Sequence, residues 1–145
     1  MSATAYDDQN VFAKILRGEI PSVKVYEDEN CAAIMDVMPQ ADGHTLVLPK
    51  AASRNIFDIE ARDLQAAILV VQRIARAVRK AFDASGVLIN QFNEGPAGQS
   101  VFHTHFHIIP RFAGVPLKRH AGGMADAAML AAHAEKIRAA LAALD

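Results

Sequence analysis

The run His103, Thr104, His105, Phe106, His107, Ile108, Ile109 alternates imidazoles with residues suited to burial, and one regular backbone uses that alternation well. In an extended strand, side chains two apart leave the same face. His103, His105 and His107 then form one row, while Phe102, Phe106 and Ile108 form the opposite row, suited to packing under a helix. A helix would set His103 and His107 on one side and turn His105 away. The β-branched neighbours and Pro110 favour the strand, which is predicted from Val101 to Ile109.

Further elements surround it. Val11, Phe12, Ile15 and Leu16 sit at helical spacing, and Gly18 stops this short helix before Pro21. Val23 to Tyr26 and Ala32 to Val37 flank a polar turn and predict a hairpin. Met38 to Gly43 carries the Pro, Asp and Gly of a turn before a third strand, Thr45 to Leu48. From Asp58 to Phe82, Leu64, Ile68, Val71, Ile74, Val78 and Phe82 recur every three or four residues, predicting the main helix, ended by Gly86. Val87 to Phe92 is the fourth strand, and Leu130, Ala134, Ile137, Leu141 and Leu144 form the seam of a closing helix. The expected class is α+β, a mainly antiparallel five-stranded sheet with one short helix, one long helix and a C-terminal helix. With 145 residues, 52% of them apolar, residues 1–145 are expected to form one domain whose core needs no staples.

Lys and Arg number 15 against 16 Asp and Glu, so no strong field gathers nucleic acid or an anionic membrane, and neither is expected as a partner. Met1 to Asn10 is polar and acidic, unlike a secretory leader. The longest apolar run, Ala66 to Val71, falls far short of the roughly 20 residues that span a bilayer. The single Cys31 cannot pair within the chain, which fits a cytoplasmic protein.

Three chemistries suit the histidine row. Its members could be polar residues on a solvated sheet face. They could bind a metal, but His103 and His107 would have α-carbons about 13 Å apart, whereas two nitrogens on tetrahedral zinc lie about 3.3 Å apart. One metal could use two neighbours of the row, with other ligands drawn from His44 or carboxylates. The third chemistry is nucleophilic catalysis by His105, because neutral imidazole attacks phosphorus near pH 7 without prior deprotonation. The flanking histidines would fix its tautomer and donate to phosphate or the leaving group. The preceding loop, Asn93 to Ser100, combines Gly95 and Gly98 with the donors Asn93, Gln99 and Ser100; alone it reads first as a turn, and its position beside the histidines makes it suit an anion.

These residues resemble the histidine-triad (HIT) family of nucleotide hydrolases and transferases, especially its Hint-like branch. The family motif alternates three histidines with hydrophobic residues and ends in two more, from which only Thr104 departs here. The resemblance runs from Val11 to about Arg111, through Asp36 to Gln40, His44 to Lys50 and Asn93 to His107, leaving 113–145 as an unmatched loop and helix. It implies an antiparallel five-stranded α+β fold paired as a homodimer through the long helix and a sheet edge. It also implies attack by His105 on the α-phosphorus of a nucleoside phosphoramidate or dinucleoside polyphosphate, giving a nucleotidyl-histidine that water hydrolyses to a monophosphate such as AMP. His107 would contact the phosphate and leaving side, His103 would orient the nucleophile, and His44 would back the triad. Ser100 and Gln99, with Gly98 in their loop, would bind phosphate, and Asn93 would lie near the sugar and phosphate. Asp36 would accept the ribose hydroxyls, and Val11, Phe12, Ile15, Ile20, Ile34 and Val37 would enclose the purine.

Plainer roles exist for some of these: Asp36 could cap the following turn, His44 could be a surface turn residue, and the apolar set could be core. Some bacterial relatives bind zinc through two cysteines near the start, where this chain has Asn10 and Ala13, so no structural zinc and no cofactor are expected. His120 and His133 match no motif and are expected to be solvated. The alternative to an enzyme is a purine-nucleotide-binding scaffold without turnover.

Overall fold

Asn10 accepts the Ala13 N–H through Oδ1 at 2.9 Å, and Gly18 takes φ +81°, so both ends of the first helix are set by local chemistry. The computed structural model describes residues 5–119 and 122–144. Along it run α1 (Val11–Leu16), β1 (Lys24–Glu27), β2 (Cys31–Met35), β3 (Thr45–Pro49), α2 (Ala61–Phe82), β4 (Gly86–Asn90), β5 (Phe106–Arg111) and α3 (Ala127–Leu144). The five strands pair antiparallel in the order β1-β2-β3-β5-β4.

Each sheet face has its own cover. Ala33, Met35, Val47, Phe106 and Ile108 face Ala67, Val71, Ile74 and Val78 of α2, with Leu130, Ala134 and Ile137 of α3 joining the same core. The opposite face carries Ile34, Leu46 and Leu48 against Phe12 of α1. A six-residue helix has little stability alone. The Asn10 cap contributes about 1 kcal/mol, and the burial of Phe12 adds about 1.5–3 kcal/mol. Since β2 is covered on both sides, it is buried throughout and shows no polar alternation.

Four expectations need correcting. β5 starts at Phe106, not Val101, and continues through Pro110 to Arg111. Proline is tolerated there because pairing to β3 ends at Ile108 and only β4 lies alongside. The α2 helix ends at Asp83, which takes the left-handed cap at φ +49°, so Gly86 opens β4 instead. Ile68 lies on the outer side of α2, 49% exposed, while Ala67 and Ala77 complete the buried stripe. Finally, β2 stops at Met35, leaving Asp36 and Val37 in the turn. The C-terminal segment docks on that turn: Lys118 N–H donates to Gln40 O at 2.8 Å and Ala125 N–H to Val37 O at 2.9 Å.

Candidate active site

Antiparallel register aligns Ile34, Leu46 and His107 across β2, β3 and β5. This rank ends at a cavity of about 230 Å³ between the sheet and α1. Val11, Phe12, Ile15, Ile34 and Val37 line it, together with Asp36, Ser100, His105 and His107, all residues that the sequence singles out. Ile20 is not among the lining residues, and Pro21, Ser22, Met38, Leu46 and Val101 join them without having been singled out. Leu46 was accessible in principle, since it shares the strand face that Ile34 pairs with. The backbone turn that presents Pro21 and Ser22 left no sequence pattern.

The hydrogen bonds settle which histidine nitrogens carry protons. His105 Nδ1 lies 2.6 Å from the carbonyl oxygen of His103, and a carbonyl only accepts, so Nδ1 holds the proton and Nε2 is the basic nitrogen. Its ring packs edge-on against Phe12, centroids 4.7 Å apart. On the other side Gln40 N–H donates to His44 Nδ1 at 3.0 Å. His44 Nε2 is therefore the protonated nitrogen and donates to His107 Nδ1 at 2.9 Å. Neutral His107 then carries its proton on Nε2. One imidazole supplies a lone pair and its neighbour a donor, with ring centroids 5.1 Å apart. His44 is fully buried rather than a surface turn residue. Asp36 serves two ends: Oδ1 accepts Met38 N–H at 2.8 Å, as a turn cap would, and Oδ2 lies 3.4 Å from His44 Nε2.

His103 departs from the expected row. Residues 101–105 lie outside the strand ladder, and His103 is 1% exposed behind the cavity, where Nε2 donates to Pro49 O at 2.7 Å. Burial pushes its pKa below the ordinary histidine value, so it stays neutral. Thr104 is held by Ser53, through N–H to Ser53 O at 2.9 Å and between the two hydroxyls at 2.7 Å.

The loop 93–100 is organised differently from the sequence expectation. Gln99 is 4% exposed and spends its whole amide internally. Oε1 accepts from Glu94 N–H at 2.8 Å and Asn55 Nδ2 at 3.0 Å, while Nε2 donates to Arg54 O at 2.7 Å and Val101 O at 3.0 Å. That leaves no donor for phosphate, so Gln99 is the spine of the loop. Asn93 pairs with Gln91 and accepts Ile56 N–H at 2.8 Å, outside the cavity wall. Gly98, also off the wall, takes φ +103° with Phe92 3.3 Å from where a Cβ would stand. Glu94 adopts φ +75°, a region that costs a non-glycine residue about 1–3 kcal/mol. Arg54 grips its carboxylate with two hydrogen bonds of 2.8 Å and Asn55 adds a third of 2.6 Å. These partners hold the Glu94 carboxyl at about 2. Arg54 and Asn55 were missed because they arrive from the loop after β3, some 40 residues away in sequence.

Among the described residues, Asp36, His44 and His107 bring metal-ligand atoms within 4.8 Å of one another. The His44 and His107 nitrogens are nevertheless joined by a proton at 2.9 Å, closer than the roughly 3.3 Å between two nitrogens on zinc. A cation would have to displace that proton and reverse His44 against the Gln40 N–H. The arrangement suits a hydrogen-bond relay better. His133 is half-buried rather than solvated, edge-on to Phe82 at 5.1 Å, and His120 lies outside the described residues.

The HIT domain family model matches residues 17–114. A solved structure of a Hit-like protein from Bartonella henselae, described as involved in cell-cycle regulation and holding an unknown ligand, is 52% identical. That likeness covers 94% of this chain and 99% of the other, with TM-score 0.88. A zinc-bound histidine triad family protein from Mycobacterium smegmatis is 37% identical, covering 94% and 96% of the two chains with TM-score 0.84. Adenylylsulfatase HINT3 of Arabidopsis thaliana is 40% identical over 118 residues, which are 76% of this chain and 59% of that protein.

Proposed function

The chain belongs to the HIT family, and we propose from that premise that it hydrolyses a purine nucleoside phosphoramidate or dinucleoside polyphosphate at the α-phosphorus. The observation that carries this is the pair of complementary tautomers on the cavity wall: the basic Nε2 of His105 beside the Nε2–H of His107.

In a phosphoramidate, His105 Nε2 attacks phosphorus while the P–N bond breaks, its electron pair leaving with the amine. His107 Nε2–H, hydrogen-bonded on the leaving side, gives its proton to the departing amine and recovers one from the water of the second step. Water then attacks the nucleotidyl-His105, and the pair of the P–Nε2 bond returns to the imidazole. Over both steps one water is consumed: its hydroxyl ends on phosphorus and its other proton on the amine. Asp36 accepts the ribose hydroxyls, and Phe12, Ile15, Ile34 and Val37 enclose the base. Ser100, exposed at the cavity mouth, offers a phosphate contact. Rapid quenching with adenosine phosphoramidate, followed by intact-mass measurement, is expected to find one AMP-sized adduct on His105. Binding without adduct or product would favour the scaffold instead.

The same reading takes the whole chain as one cytoplasmic domain that forms a homodimer. Among the described residues no helix is long and apolar enough to cross a membrane. Apolar side chains at the edge strand β4, Ile89, and on the outer side of α2, Ile68 and Leu69, favour pairing there. Light scattering is expected to give twice the chain mass, and the mass of one chain for Leu69→Glu. A single-chain mass for the unmodified protein would end the dimer proposal.

A further inference from the structure

We infer that Tyr6 is a positioning residue for the nucleophile, holding His103 in place from an N-terminal strap; the inference rests on the hydrolase mechanism proposed above. The carbonyl that fixes the His105 tautomer belongs to His103, within a segment that strand pairing does not hold. Such a segment stays where its side chains anchor it. Thr104 is anchored by Ser53, and His103 Nε2–H by Pro49 O. Both of these anchors come from β3 or the loop that follows it. Tyr6 reaches the same histidine from the opposite end of the chain.

Tyr6 Oη lies 2.5 Å from His103 Nδ1. Because Nε2 holds the imidazole proton, Nδ1 must accept, and Tyr6 is the donor. The hydroxyl in turn accepts Asn10 Nδ2–H at 3.0 Å, while Asn10 Oδ1 caps α1 at Ala13. Burial raises the Tyr6 pKa, which keeps the donor protonated. Asn10 thus joins two contacts on the nucleophile. One is Phe12 of α1, edge-on to the His105 ring; the other is the His103 carbonyl at His105 Nδ1. Removing the tyrosine hydroxyl leaves a buried ring nitrogen without its donor and frees His103 to change tautomer or tilt. A tilt moves the carbonyl and with it the His105 lone pair, so chemistry suffers before nucleotide binding does.

The test uses the full chain with Tyr6→Phe, which removes only the oxygen, and Asn10→Ser, which keeps a cap acceptor for α1 but loses the amide donor to Tyr6. In Tyr6→Phe the kcat for AMP release from adenosine phosphoramidate is expected to fall about tenfold, since a small misplacement of the attacking atom suffices. KM stays within about twofold, the mark of an interaction that matters in the transition state. Nitrogen-15 imidazole spectra should show His103 passing from one tautomer to a mixture. Asn10→Ser should move kcat the same way by about threefold, and it decides the matter if Tyr6→Phe does not fold. Unchanged kcat, or an unchanged His103 spectrum with kcat, KM and melting temperature altered together, would overturn the positioning role. If the unmodified chain releases no AMP, the hydrolase proposal fails by itself, and the His103 spectrum alone decides whether Tyr6 holds that ring.

Discussion

His105→Ala is expected to lower the rate of AMP release by about 10³-fold or more, equivalent to about 4 kcal/mol of barrier, and to abolish the nucleotidyl adduct. The size follows from the chemistry: the His103 carbonyl, 2.6 Å from Nδ1, sets Nε2 of His105 as its basic nitrogen, and that nitrogen is the attacking atom of the proposed reaction. His107 presents a donor on Nε2 and cannot take over attack without reversing its bond to His44. The substitution should be mild for folding, because the lost ring borders an open cavity that water can fill. Retained binding of AMP in the variant, read by calorimetry, separates loss of chemistry from loss of the site. Activity within tenfold of the unmodified chain would remove covalent catalysis by His105.

Gln99→Leu is expected to cost about 2–4 kcal/mol of stability, because four buried or half-buried partners lose their hydrogen bonds at once. Glu94 N–H is one of them, and Glu94 already holds a backbone conformation unfavourable for a residue with a Cβ. The loop is therefore expected to relax, and with it Ser100 at the cavity mouth. Urea unfolding should show a lower midpoint with an unchanged slope. Had Gln99 been a phosphate ligand, the same change would raise KM with little effect on the midpoint. That second pattern would return Gln99 to the phosphate.

Much of the fold was legible because it is local. The stop of α1 at Gly18 and the three-and-four spacing of Leu64, Val71, Ile74 and Val78 each act within a few residues. Errors arose where a neighbour outside the window decided. Ile68 fits the apolar period but faces outward, since small alanines at 67 and 77 let α2 sit close on its partners. Val101 to His105 looks like strand, yet among the described residues no strand pairs with it, and Ser53, Pro49 and Tyr6 hold it instead.

The alternating histidines, by themselves, determined that His105 and His107 would project together, and left a solvated face, a metal site and nucleophilic catalysis open for them. That pattern is a property of successive residues on extended backbone. Which nitrogen of each ring carries the proton was decided only in the folded chain, by two short-range contacts whose geometry the fold sets, Gln40 N–H on His44 and the His103 carbonyl on His105, and by the long-range bond of His44 to His107. The physical reason is that a tautomer responds to the donor or acceptor a few ångströms away. For His107 that partner, His44, stands 63 residues distant in sequence and becomes a neighbour only when β3 pairs with β5.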